Sequence, residues 1–143
     1  MAVPENVVKT SDFDFFSQEE AEVFDNTVGI RRRHIAPDNM CASDMCQAAA
    51  EKLLEELGWE RDSIDVLLFE SVTGDYRTPP TSCILQDRLA LSENCFCMDI
   101  PMGCCGCMYA ITVAGNLLTT GNVKRALLLI CLLYTSPSPR DST

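Results

Sequence analysis

Residues 64–69 read IDVLLF, an apolar run of strand length. A strand with almost nothing polar to turn toward water must be covered on both faces, as the central strands of parallel sheets are. Such a run therefore demands helices around it, and the sequence supplies them on either side. Upstream, Met45, Ala49, Leu53 and Leu57 repeat every four residues. Cys46, Ala50 and Leu54 follow one position along, so a broad apolar stripe marks a helix over residues 43–57. Ser43 or Asp44 is expected to cap its start and Gly58 to close it, with Lys52, Glu55 and Glu56 as the wet face.

Downstream the pattern repeats. DYRTPP at residues 75–80 is a turn, and residues 81–91 open a second helix just after its prolines. Residues 95–98 read as the next strand. An apolar helix from about residue 105 to 120 follows, Gly121-Asn122 end it, and residues 123–130 form another buried strand. Helices alternating with buried strands predict a layered α/β fold, a mostly parallel sheet with covering helices joined by right-handed crossovers. Nearer the N-terminus, Ser17 caps a short acidic helix over residues 17–25. TVGIRRRHI at residues 27–35 then sets three arginines beside the only histidine. That cluster reads either as an anion site or as a solvated charge run at a strand edge.

The corner between the strand at 95–98 and the following helix carries the chemistry. Residues 95–109 read CFCMDIPMGCCGCMY, a strand ending in an acid, then a Pro-Met-Gly turn, then Cys104. There the unpaired N–H groups of a helix's first turn, with its dipole behind them, favour a negative sulfur. Cys104 is thus the candidate nucleophile, at the carboxyl end of a strand, where open α/β sheets place their sites. Most of the other eight cysteines fit better as small apolar core residues. A rival reading makes Cys104 and Cys107 a C-x-x-C metal or redox module, with Cys95 and Cys97 pointing to one strand face. Against it, no second C-x-x-C supplies the usual pairing, and Cys41 and Cys46 lack zinc-knuckle spacing. No metal is expected. His34 has no neighbouring nucleophile to deprotonate.

Composition narrows the class. The net charge of -10 argues against nucleic acid, with 16 acids against 6 basic residues in the first seventy positions and 5 of each thereafter. The opening MAVPENVVKT has neither the basic nor the apolar segment of a secretory signal, so nine cysteines suggest a reducing cytoplasm. The longest apolar run, residues 126–133, is too short to span a bilayer.

Six ordered segments go further: GIRRRHIA from Gly29, AAEKLLEELG from Ala49, SIDVLLFES from Ser63, PPTSCILQDRL from Pro79, MDIPMGCCGCMYAI from Met98 and TGNVKRALLLI from Thr120. From Pro4 to Ile130 the chain resembles the N-terminal half of 3-oxoacyl-[acyl-carrier-protein] synthase III, a condensing enzyme of the thiolase-like superfamily. The resemblance assigns the family's acyl-accepting cysteine to Cys104. It implies acyl transfer from a thioester to Cys104, then decarboxylative condensation with malonyl-acyl carrier protein. No cofactor is implied: acyl-coenzyme A or an acyl-acyl carrier protein is the substrate, acyl carrier protein the partner and a homodimer the expected assembly. Related enzymes of the superfamily transfer acyl groups without decarboxylation or serve polyketide, quinolone and lipid-decoration pathways.

The departures also matter. Cys105 and Cys107 stand where the family carries a small residue and an aromatic one. Val23 and Thr27 fall where the best-known members clamp the coenzyme A nucleotide with tryptophan and arginine, which favours a carrier protein as donor. The family's first strand, ahead of Pro4, has no counterpart, and its decarboxylating histidine and asparagine belong to a second half that His34 cannot replace. Residues 131–143, beginning CLLYTSPSPRD, resemble translated sequencing adapter. They are expected to be a non-native tail on a half-domain spanning 1–130, the alternative being a native Ser/Pro-rich tail, and on either reading disorder is expected. Such a fragment should be inactive in condensation and should leave apolar surface uncovered.

Overall fold

A computed structural model describes residues 1–132 of the chain. These divide into two compact units, one of Val3–Asp38 and the other of Met1–Ala2 with the chain from Asn39 on.

In the smaller unit, β1 (Val7–Lys9) pairs antiparallel with β2 (Arg32–His34), Val8 opposite Arg33. Between them lies α1 (Gln18–Val28). Ser17 and Glu20 close its N-terminus reciprocally: Glu20 N–H donates to Ser17 Oγ at 3.2 Å and Ser17 N–H to Glu20 Oε2 at 2.9 Å. Gly29, at φ 79°, ends the helix in the left-handed conformation that a side chain would resist.

The larger unit is built around the run that the sequence marks as central. Strand β3 (Val66–Glu70) is buried along its whole length. Strands β4 (Phe96–Ile100) and β5 (Ala126–Ile130) pair with it on either side, both parallel, in the order β4-β3-β5. Period-2 alternation splits β3 between two cores. Leu67 and Phe69 pack with Cys46, Ala50 and Leu54 of α2 (Ala42–Leu57) and Leu85 of α3 (Thr81–Arg88). Val66 and Leu68 pack with Ala110 and Ala114 of α4 (Gly106–Leu118). Each such large aliphatic, fully buried, contributes roughly 1.5–3 kcal/mol.

The expected helices and strands all form, with two corrections. The N-cap of α2 is Cys41, not Ser43 or Asp44. The Asp44 carboxylate instead accepts from Cys41 N–H at 2.8 Å, and Ser43 Oγ donates to buried Asp75 at 2.6 Å. Of the two apolar rows on α2, only Cys46, Ala50 and Leu54 face the sheet; Leu53 and Leu57 are exposed. The helix carries more apolar surface than this sheet covers.

Acids organise the helix ends. Strand β4 closes α3, since Asp99 accepts from Thr81 N–H and Ser82 N–H, both at 2.7 Å. With Glu19 and Glu20 opening α1 and Asp44 opening α2, a carboxylate meets the N-terminal turn of three helices. Helix α4 has no acid in its first turn. The expected tail lies outside the described residues except for Cys131 and Leu132. Cys131 N–H donates to Glu70 O at 3.0 Å, extending the β3–β5 ladder by one step.

Candidate active site

Because the three strands of the sheet are parallel and in register, Glu70, Ile100 and Ile130 end at one edge. From that edge the chain leaves β4, turns and enters α4. The turn is held by its own backbone: Met102 N–H donates to Ile100 O at 2.9 Å and Gly106 N–H to Gly103 O at 2.8 Å. Cys104 stands on this corner two residues ahead of α4, with its side chain exposed. Cys105 beside it is also exposed, and Cys107 is half-buried. A thiol that is accessible and next to a thirteen-residue helix's first turn has the surroundings of a nucleophile.

The remaining cysteines separate from it. No disulfide joins any of the nine among the described residues. Cys41, Cys46 and Cys95 are buried as core residues. Burial pushes the Cys95 thiol up, and burial with the negative charge of neighbouring Cys95 pushes Cys97 up to about 12. A hydrogen bond with the Cys131 thiol, then burial, pushes Cys46 up as well. The thiols of Cys46, Cys95 and Cys97 are thereby held toward their protonated form. Cys83 on α3 is exposed but lies within a helix. Among the described residues no three His, Cys, Asp or Glu side chains gather closely enough to hold a metal ion.

The other sequence candidates play structural parts. His34 Nδ1 donates to the Pro4 carbonyl at 2.6 Å, which fixes the ring on β2. Arg33 lies over the Phe24 ring, 5.2 Å from its centroid, and donates to Thr10 Oγ1 at 3.2 Å. Arg31 lines a recess with Glu19, Glu22 and Asp25, an acidic setting unsuited to an anion. Val23 is exposed on α1, and the Thr27 hydroxyl donates back to the Val23 carbonyl at 2.8 Å.

One residue at the site went unread in the sequence. Glu70 closes the apolar strand, and alternation from Val66 and Leu68 turns its side chain to the α4 face. The side chain is completely buried. A Cβ built on Gly106 would overlap the Glu70 carboxyl group, so a side chain at the start of α4 would displace that carboxyl from its place. Neither carboxyl oxygen has a hydrogen-bond partner among the described residues, and burial pushes the Glu70 pKa up.

Comparison with known proteins bears on the fold that carries this corner. No family model matches the chain. The beta-ketoacyl-[acyl-carrier-protein] synthase III of Acholeplasma laidlawii is 32% identical over 127 residues, covering 88% of this chain and 41% of that protein. The synthase III of Geobacillus kaustophilus is 35% identical over 127 residues, 89% of this chain and 41% of the relative. The crystal structure of a 3-oxoacyl-(acyl-carrier protein) synthase from Burkholderia xenovorans superimposes with a TM-score of 0.85 at 40% identity, over 89% of this chain and 37% of that one. The chain is homologous to the N-terminal part of beta-ketoacyl-[acyl-carrier-protein] synthase III. It spans about 41% of the length of the curated relatives it matches. The layered, mostly parallel sheet of this synthase III homologue is the thiolase-like arrangement that its sequence predicts. No helix among its described residues is long and apolar enough to cross a membrane.

Proposed function

We propose that this chain carries the acyl-accepting part of a 3-oxoacyl-[acyl-carrier-protein] synthase III-type condensing enzyme, with Cys104 as the nucleophile. The observation that carries the reading is the exposed Cys104 thiol at the carboxyl edge of a parallel sheet, two residues ahead of α4, in a chain with this homology. The Cys104 thiolate attacks the carbonyl carbon of an acyl thioester. A new C–S bond forms, the donor's C–S bond breaks, and the donor leaves as a thiol with the proton that Cys104 gave up. Negative charge gathers on the carbonyl oxygen in between, and backbone N–H groups at the corner, that of Cys104 among them, are suited to receive it. In the second step malonyl-acyl carrier protein loses carbon dioxide, and its carbanion attacks the thioester carbon and releases Cys104. The histidine and asparagine that promote this step in the family have no equivalents in residues 1–130, since His34 is engaged with Pro4.

Acyl carrier protein is the partner that this reading implies. With Val23 and Thr27 at the positions of the family's nucleotide clamp, an acyl-carrier protein serves as donor more readily than acyl-coenzyme A. The exposed apolar face of α4 is where a second copy of the chain would pack.

The test is acylation without condensation. The 143-residue chain, incubated with acyl-coenzyme A or an acyl-acyl carrier protein, should gain one acyl group, mapped by peptide mass spectrometry to Cys104. Cys104→Ala should lose it, and added malonyl-acyl carrier protein should yield no 3-oxoacyl product. Acylation spread evenly over Cys83, Cys104 and Cys105 would overturn the assignment.

A further inference from the structure

Two of the cysteines are brought together by elements far apart in the chain. Period-2 alternation along β5 turns Leu127 and Leu129 toward the core that α2 covers. The ladder runs one step further through Cys131, whose N–H donates to Glu70 O, so its side chain falls on the same face. From the other side, Cys46 begins the α2 row that meets the sheet, ahead of Ala50 and Leu54. Cys131 packs against the core cluster that contains Cys46, and both line one apolar recess with Met45, Ala49 and Leu128. Within it the two thiols are hydrogen-bonded to each other. Cys131 is the accessible partner, being half-buried where Cys46 is 4% exposed. We propose that Cys46 and Cys131 are a redox pair, which a small-molecule disulfide oxidises to a bond tying α2 to the end of β5.

The chemistry is thiol–disulfide exchange in two steps. Cys131 Sγ attacks one sulfur of the small disulfide, whose S–S bond breaks, and one small thiol departs with the proton that Cys131 gave up. Cys46 Sγ then attacks the Cys131 sulfur of the mixed disulfide, the Cys46–Cys131 bond forms, and the second small thiol leaves with the Cys46 proton. Two protein thiols lose two electrons, and one small disulfide is reduced to two thiols. The order follows from the surroundings of Cys46. Its hydrogen bond with Cys131, then burial, then the charge of Cys131 hold it protonated in the reduced chain. A mixed disulfide at Cys131 removes the first and third of these, so Cys46 is released to react when its target is in place. The more distant charges of Asp75 and Glu70 remain. Cys95 and Cys97 also touch, yet they stand two residues apart on the extended chain entering β4. Alternate residues of such a chain are roughly 6.5 Å apart, beyond the ~3.5–4.5 Å between Cβ atoms that a disulfide spans.

Oxidised glutathione is the probe. The 143-residue chain is equilibrated with mixtures of reduced and oxidised glutathione, quenched in acid, alkylated and digested without reduction. Linked peptides are then fragmented by mass spectrometry, which separates Cys46 from Cys41. The Cys46–Cys131 link should be half-formed at about tenfold less oxidised glutathione than any other linkage, and a reducing agent should remove it. Cys131→Ser alters only the accessible partner, and Cys46 should then stay reduced in mixtures that fully oxidise the parent. A bond between such distant positions restricts the unfolded chain, so the oxidised parent should unfold at higher urea than the reduced one. That shift should be absent in Cys131→Ser. Cys46 oxidised as readily in Cys131→Ser, or links of Cys83, Cys104, Cys105 or Cys107 forming in the same mixtures, would overturn the pair. So would a Cys46–Cys131 bond that leaves the urea midpoint unmoved or lowers it.

Discussion

Glu70 and Gly106 are in close contact, and the carboxyl group occupies the space that a Cβ at Gly106 would take. The fit has a thermodynamic signature. Burial raises the Glu70 pKa in the folded state, so the folded chain holds that proton to higher pH than the unfolded chain does. The stability tied to the neutral carboxyl is fully present below the ordinary carboxylate range. It is lost as pH rises through the raised value. Glu70→Gln should therefore match the parent in urea midpoint under acid conditions and exceed it increasingly toward neutral and alkaline pH. Urea titrations at a series of pH values check this, and a difference that stays constant with pH would contradict it. Cys104 was legible from its corner in the sequence, because strand, turn and helix signals converge there. Glu70 was hidden, since an acid at the end of an apolar run looks like a strand terminus. The clue was the period: Val66, Leu68 and Glu70 share a face.

At the scale of elements, one strand organises two helices. Asp99 on β4 receives both leading N–H groups of α3, and five residues later the same segment launches α4 past Cys104. Asp99→Ala should cost about 1–2 kcal/mol through loss of this cap. It should also loosen the corner, visible as faster proteolysis between β4 and α4; a loss confined to α3 would show that the two ends are independent. The helices and strands of the larger unit were readable because their apolar spacing matches either 3.6 or 2 residues. The pairing of Asp99 with α3 was not readable, since it joins positions 17 and 18 residues apart through geometry that only the sheet provides. Likewise the stripe on α2 did not say which of its rows meets this sheet. Both rows are apolar, and contact with the sheet selects Cys46, Ala50 and Leu54 over Leu53 and Leu57.

For the molecule as a whole, uncovered apolar surface is the prominent feature. On α4, Met108 is 64% exposed, and Tyr109, Ile111 and Leu118 are exposed with it. A surface of this kind is expected to be covered by protein. The chain should therefore self-associate, and Ile111→Lys should lower its apparent mass in sedimentation while changing monomer stability by less than about 0.5 kcal/mol. Self-association unchanged by that substitution would shift attention to Leu53 and Leu57 of α2. The helix ends carry a further consequence. A chain of net charge -10 repels anions at long range, yet α4 has no acid in its own first turn, and the one carboxyl group set against Gly106, that of Glu70, is kept from ionising readily by its burial. The field over the Cys104 corner is thus a local exception to the field of the protein, and ionic strength acts on the two differently. Salt screens the distant repulsion over a Debye length of about 8–10 Å, while the attraction at the helix end works at contact. An anionic thioester meeting this edge should be captured faster as salt is first added, the reverse of ordinary electrostatic steering.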